Sequence, residues 1–118
     1  MAVRRGDVVT VGIEQGPGMP MKRRPVVVVQ NDLNNGRLHS AIVAQISSNI
    51  KLASKEKTQV LIDISTPGGL QSGLVHTSVV KCENIYVKLQ HDMRKIGQLS
   101  PAHIQQVNAA LKVSLDLT

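Results

Sequence analysis

Aromatic side chains are almost absent from this sequence: among 118 residues there is no Trp, no Phe and a single Tyr, Tyr86. The core must therefore be filled by Val, Ile, Leu, Ala and Met. Any contact with nucleic acid must work without the row of rings on which single-strand binders usually stack bases. Cysteine is equally scarce. Cys82 stands alone, which excludes an intramolecular disulfide and a cysteine-based metal framework. Within Ser78-Val79-Val80-Lys81-Cys82 it reads as a semi-buried, inert thiol. No apolar run reaches transmembrane length and Met1-Ala2-Val3-Arg4-Arg5 carries no signal-peptide pattern, so a cytoplasmic protein without a membrane partner is expected. His39, His76, His91 and His103 show no pair at ligand spacing and no adjoining carboxylate cluster, so neither a metal nor another cofactor is expected. Gly16-Pro17-Gly18 matches neither a P-loop nor a dinucleotide fingerprint.

What is present is positive charge. The formal net charge is +6, and the residues through Lys57 hold nine basic against four acidic side chains, leaving +5 in the amino-terminal half. Such a half suits a polyanion, either nucleic acid or an acidic polypeptide, and charge alone does not choose between them.

The pattern predicts one domain over 1–118, mostly β (α+β), built as a small, strongly twisted antiparallel barrel with a carboxy-terminal helix. Val8 to Val11 is a first strand after the turn at Gly6-Asp7. Gly12 to Arg23 is a long Gly/Pro-rich loop of the functional or mobile kind. Pro25 to Gln30 is apolar on both faces and central. Asn31 to Gly36 reads as a chain reversal. Further strands are expected at Leu38 to Ile46, Thr58 to Ile64, one or two within Leu74 to Leu89, and Lys95 to Leu99, giving roughly seven. Lys51 to Lys57 is a charged connector, and Pro67-Gly68-Gly69 is a turn. Ser100-Pro101 opens a helix with Ile104, Val107, Leu111 and Val113 or Leu115 on its apolar stripe. The connections are too short for crossover helices.

Within this frame Lys22-Arg23-Arg24-Pro25 lies at the mouth of a β-branched strand. Proline biases Arg24 towards an extended backbone, placing a forked cation at the strand entrance. The segment reads either as a basic loop solvating a strand end or as an anion site. Ser47, Ser48 and Asn49, at the end of the third strand, are either turn formers or hydroxyl donors that hold a phosphate opposite Arg24. His39 is placed by this reading towards the same end of the sheet.

Arg5-Gly6-Asp7-Val8, then Arg24-Pro25-Val26-Val27-Val28-Val29-Gln30-Asn31-Asp32, then Ala41-Ile42-Val43-Ala44-Gln45-Ile46-Ser47 occur in the order of one family. The sequence resembles the MazF/PemK toxin endoribonucleases of bacterial toxin–antitoxin pairs. The likeness continues through Val60-Leu61-Ile62-Asp63, Ser78-Val79-Val80 and the final helix. It implies an SH3-like barrel that forms a homodimer and cuts single-stranded RNA at short sequences without metal. Attack by the 2′-hydroxyl would leave a 2′,3′-cyclic phosphate and a 5′-hydroxyl, and a cognate antitoxin polypeptide would occupy the RNA groove. The resemblance puts the catalytic arginine at Arg24 and the catalytic hydroxyl at Ser47. Lys22, Arg23, Gln30, Asn31, His39, Ser48 and Asn49 are the expected RNA contacts. The loop at 13–23 departs from the family pattern: Glu14-Gln15-Gly16 echoes part of the usual segment but lies further from Arg24. Two other readings share the barrel: a CcdB-like toxin that poisons gyrase through Leu115-Asp116-Leu117-Thr118, and a degenerate member that only binds RNA or antitoxin.

Overall fold

The computed structural model describes residues 2–118. In chain order it comprises β1 (Asp7–Ile13), β2 (Lys22–Val28), α1 (Asp32–Arg37), β3 (Ser40–Ser47), β4 (Gln59–Ile62), α2 (Pro67–Gln71), β5 (Ser78–Leu89), a 3-10 turn (Gln90–Asp92), β6 (Arg94–Gln98) and α3 (Pro101–Ser114). The strands form one antiparallel sheet in the order β4-β5-β3-β2-β1-β6, curled into a half-barrel. Six strands replace the roughly seven expected, because Leu74 to Thr77 stays irregular and only Ser78–Leu89 enters the sheet.

Both faces of the sheet are apolar. On one, Val8, Val27, Ala44, Ile46, Ile62 and Val80 pack beneath Val107 and Ala110 of α3. On the other, Val9, Val11, Val26, Val28, Ala41 and Val43 pack with Ile13, Tyr86 and Met93. This double burial explains why β2 reads as continuous rather than alternating. Ile104 and Leu111 extend the buried stripe of α3, as expected, but Val113 and Leu115 are half exposed at 52% and 49%.

Three local expectations are corrected. The chain does not reverse at Asn35-Gly36. Asn31 instead accepts the Asn34 N–H at 2.8 Å and caps α1, so the cap outweighs the turn-forming tendency of the residues inside it. Pro67-Gly68-Gly69 forms the short helix α2, because Thr66 caps it and Pro67 occupies its first turn, the chemistry that also opens α3 at Ser100-Pro101. The loop after β1 shrinks to 14–21, since Ile13 pairs with Lys22 and Gly12 with Arg23. Where α2 meets β6, Gly73 (φ +75°) lies so close to Ile96 that an added Cβ would stand 1.9 Å from its carbonyl oxygen.

Candidate nucleic-acid interface

The β2–β3 ladder ends at Val26↔Gln45. Pro25 brings no N–H to a ladder, and beyond it the two strands part. Two residues further along each strand stand Arg24 and Ser47, on the face shared by Val26 and Gln45. The gap is a groove of about 610 Å³ whose lining includes Lys22, Arg24, Ser47, Ser48, His76 and Ser78. Arg24 and Lys22 are exposed, and among the described residues neither has an ion-pair or side-chain hydrogen-bond partner. The Ser47 hydroxyl accepts the Asn49 N–H at 3.1 Å, which fixes its position and leaves its proton free to donate.

Arg23 belongs to the other face. Its guanidinium pairs with the Asp92 carboxylate at 2.9 Å and donates to the carbonyls of Thr10 and Asp92 at 2.6 Å each. Asp92 also accepts the Gly12 N–H at 2.8 Å. That hydrogen bond first, and Arg23 second, hold its carboxyl below the usual carboxylate range. Arg23 thus borders the groove, but its charge closes the base of the 14–21 loop.

Gln30, Asn31 and His39 are not brought to this groove. The Gln30 amide is buried, donating to Asn35 Oδ1 at 3.0 Å and to the Ser40 carbonyl at 2.9 Å. Asn31 caps α1. His39 is exposed and lines a separate cavity with Arg37, Gln90 and His91. Asn49 follows Ser48 out of the groove and accepts the Lys51 N–H at 3.3 Å. Burial pushes the fully buried Cys82 thiol up to about 11, which makes it inert. His103, held down by burial, shares the Ser100 hydroxyl at the start of α3.

Two residues of the groove escaped sequence reasoning. His76 and Ser78 arrive with the start of β5, whose register sets Ser47 opposite Val79. That register depends on a shift in the β3–β5 pairing between Ala44 and Gln45, for which the sequence carries no signal.

A profile of the PemK-like, MazF-like toxins of type II toxin-antitoxin systems matches residues 4–115. The chain belongs to this family. Endoribonuclease EndoA of Bacillus subtilis (strain 168) is 38% identical over 99% of this chain and 97% of its own length. Endoribonuclease MazF of Staphylococcus saprophyticus is 33% identical over 98% and 92%. Among solved structures, a chain of the MazE-MazF complex of Deinococcus radiodurans superposes with a TM-score of 0.78 over 100% of this chain and 99% of that one, at 16% identity. An endoribonuclease in complex with its cognate antitoxin, from a mycobacterial species, gives 0.76 over 99% and 98%, at 22% identity. At these identities the superpositions speak for the MazF-like fold. In this chain Arg24 and Ser47 line one groove.

Proposed function

We propose that this chain is the toxin of a type II toxin–antitoxin pair and a sequence-selective, metal-independent endoribonuclease acting on single-stranded RNA in the cytoplasm. The observation that carries the reading is the convergence of Arg24, unpaired among the described residues, and a positioned Ser47 at the parted end of β2 and β3, in a chain whose relatives are named endoribonucleases.

The chemistry follows from what these groups can do. The 2′-hydroxyl loses its proton and its oxygen bonds to the adjacent phosphorus. The bond to the 5′-oxygen breaks, that oxygen takes a proton, and a 2′,3′-cyclic phosphate remains. Charge that builds on the phosphoryl oxygens is met by the Arg24 fork and the Ser47 hydroxyl. Arginine stays charged in water and is a poor base, so proton removal falls to another group. His76 is the histidine lining the groove, and we assign it that role. A requirement for the 2′-hydroxyl restricts the substrate to RNA. Lys22, exposed in the same groove as Arg24, holds the phosphate backbone, with affinity that falls as salt rises. An acidic segment of a cognate antitoxin would compete for the same charges. The active form is a homodimer, in keeping with the family.

The test is cleavage of single-stranded RNA by purified protein in EDTA, with the new ends identified. Cyclic phosphate and 5′-hydroxyl ends are expected. Intact RNA across varied sequences, or 5′-phosphate ends, would overturn the assignment.

A further inference from the structure

Beside the groove lies a second cavity of about 360 Å³, in the size range of small-ligand sites, which shares Arg24, Pro25, Gln45 and Ile46 with it and adds Ile13, Tyr86 and Lys88. Its position is set by the sheet. Tyr86 lies opposite Val43 and Lys88 opposite Ala41, and both of those partners share a core with Val26. Arg24, two residues from Val26, therefore projects from the same face as Tyr86 and Lys88. The single aromatic residue of the chain thus lines the same cavity as the cation assigned to the scissile phosphate. Ile13, Pro25 and Ile46 supply apolar walls, and the Tyr86 hydroxyl has no hydrogen-bond partner among the described residues.

The polar groups on this cavity are mostly donors. Lys88 Nζ donates to the Gly12 carbonyl at 2.9 Å, which fixes the ammonium and leaves two protons free. Gln45 Oε1 is engaged by the Asn84 amide at 2.7 Å, so the amide nitrogen of Gln45 is the end left to act. Arg24 only donates. The Tyr86 hydroxyl rotates to either role. An edge lined this way meets carbonyl acceptors, such as O6 of guanine or O4 of uracil. It meets the exocyclic amines of adenine and cytosine donor to donor.

We propose that Tyr86 and Lys88 form a base pocket selecting a keto nucleobase, guanine or uracil, beside the phosphate held by Arg24. The inference rests on the endoribonuclease reading. Tyr86 supplies the stacking surface and Lys88 the discrimination.

Because Tyr86 is the only aromatic residue, its emission reports this pocket alone. Trinucleotides with 2′-O-methyl riboses bind but cannot react, and variants with each central base can be titrated with emission corrected for absorbance. In parallel, binding is followed by anisotropy of labelled copies. Central guanine or uracil should quench Tyr86, with adenine and cytosine about tenfold weaker. Lys88→Met should collapse the keto-over-amino ratio towards one. Tyr86→Leu, checked for folding by circular dichroism, should weaken binding of the keto-base oligonucleotides about 5- to 100-fold. Bound RNA with unchanged Tyr86 emission overturns the pocket and leaves the nuclease reading standing. An unaltered base ratio in Lys88→Met overturns the role of that residue. Absence of RNA binding to the wild type overturns both readings.

Discussion

Just past the end of β2, Gln30 is buried and its amide is matched on every side, by Asn35, by the Ser40 carbonyl and by the Ile42 N–H. Asn35 returns a hydrogen bond to the Gln30 carbonyl and another to Asp32. At the entrance of the same strand, Arg24 and Lys22 meet no partner among the described residues, and Ser47 keeps a free proton. Both regions are polar and both lie where β2 meets a loop. One is closed on itself and the other is open to something outside. Buried polar groups cost stability unless matched, so the closed end has its role in holding α1 against β3. Cations left unmatched in a cleft can serve a ligand at no cost to the fold.

The comparison breaks most visibly if the open end proves dispensable. Arg24→Ala should lower the cleavage rate by about a hundredfold to a thousandfold, and Ser47→Ala by somewhat less, with little change in melting temperature, as expected for donors to a developing oxyanion. His76→Asn should lower the rate and flatten the acidic limb of the pH–rate profile, which a merely structural histidine would leave in place.

At the closed end the sign is reversed. Asn35→Ala leaves the Gln30 amide and carbonyl short of partners in a buried setting, at a cost of about 2–3 kcal/mol in urea denaturation. At a temperature where the variant is still folded, its cleavage rate should stay near that of the wild type. A large rate loss without unfolding would place Asn35 in the site after all.

A smaller effect concerns the clasp beneath the 14–21 loop. The Asp92 carboxyl is held below its ordinary value of 3.8, by the Gly12 N–H first and Arg23 second. The folded state therefore takes up its proton later than the unfolded chain, so this contribution is whole above the ordinary value and is lost as pH falls below it. Between about pH 5 and about pH 3, Asp92→Asn should lose less of its urea midpoint than the wild type does. Equal losses would show that the clasp is not a source of acid sensitivity.

Much of this division was legible in the residues. The central strand, the Ser100-Pro101 helix start and the pairing of Arg24 with Ser47 all rest on local signals or on the family resemblance. The different fates of Arg23 and Arg24 were not legible, because the strand was expected to begin at Pro25. Once β2 starts at Lys22, alternation alone sends the two guanidinium groups to opposite faces. Gln30 and Asn31 are expected at the site from the family resemblance and His39 from its place by the third strand, whereas capping and long-range pairing decide where they go. His76, Tyr86 and Lys88 reach the open end only through the β3–β5 register, which no local pattern encodes.

Neighbouring arginines therefore give the most direct test. Arg23→Ala and Arg24→Ala remove the same charge one residue apart, so RNA cleavage in EDTA and thermal unfolding can be measured side by side. Arg24→Ala should melt like the wild type and cut at least about a hundredfold more slowly. Arg23→Ala should lose about 1 kcal/mol of stability and keep most of its activity at moderate salt. An Arg24→Ala protein that cuts as fast as the wild type, or an Arg23→Ala protein that is the inactive one, would contradict the account.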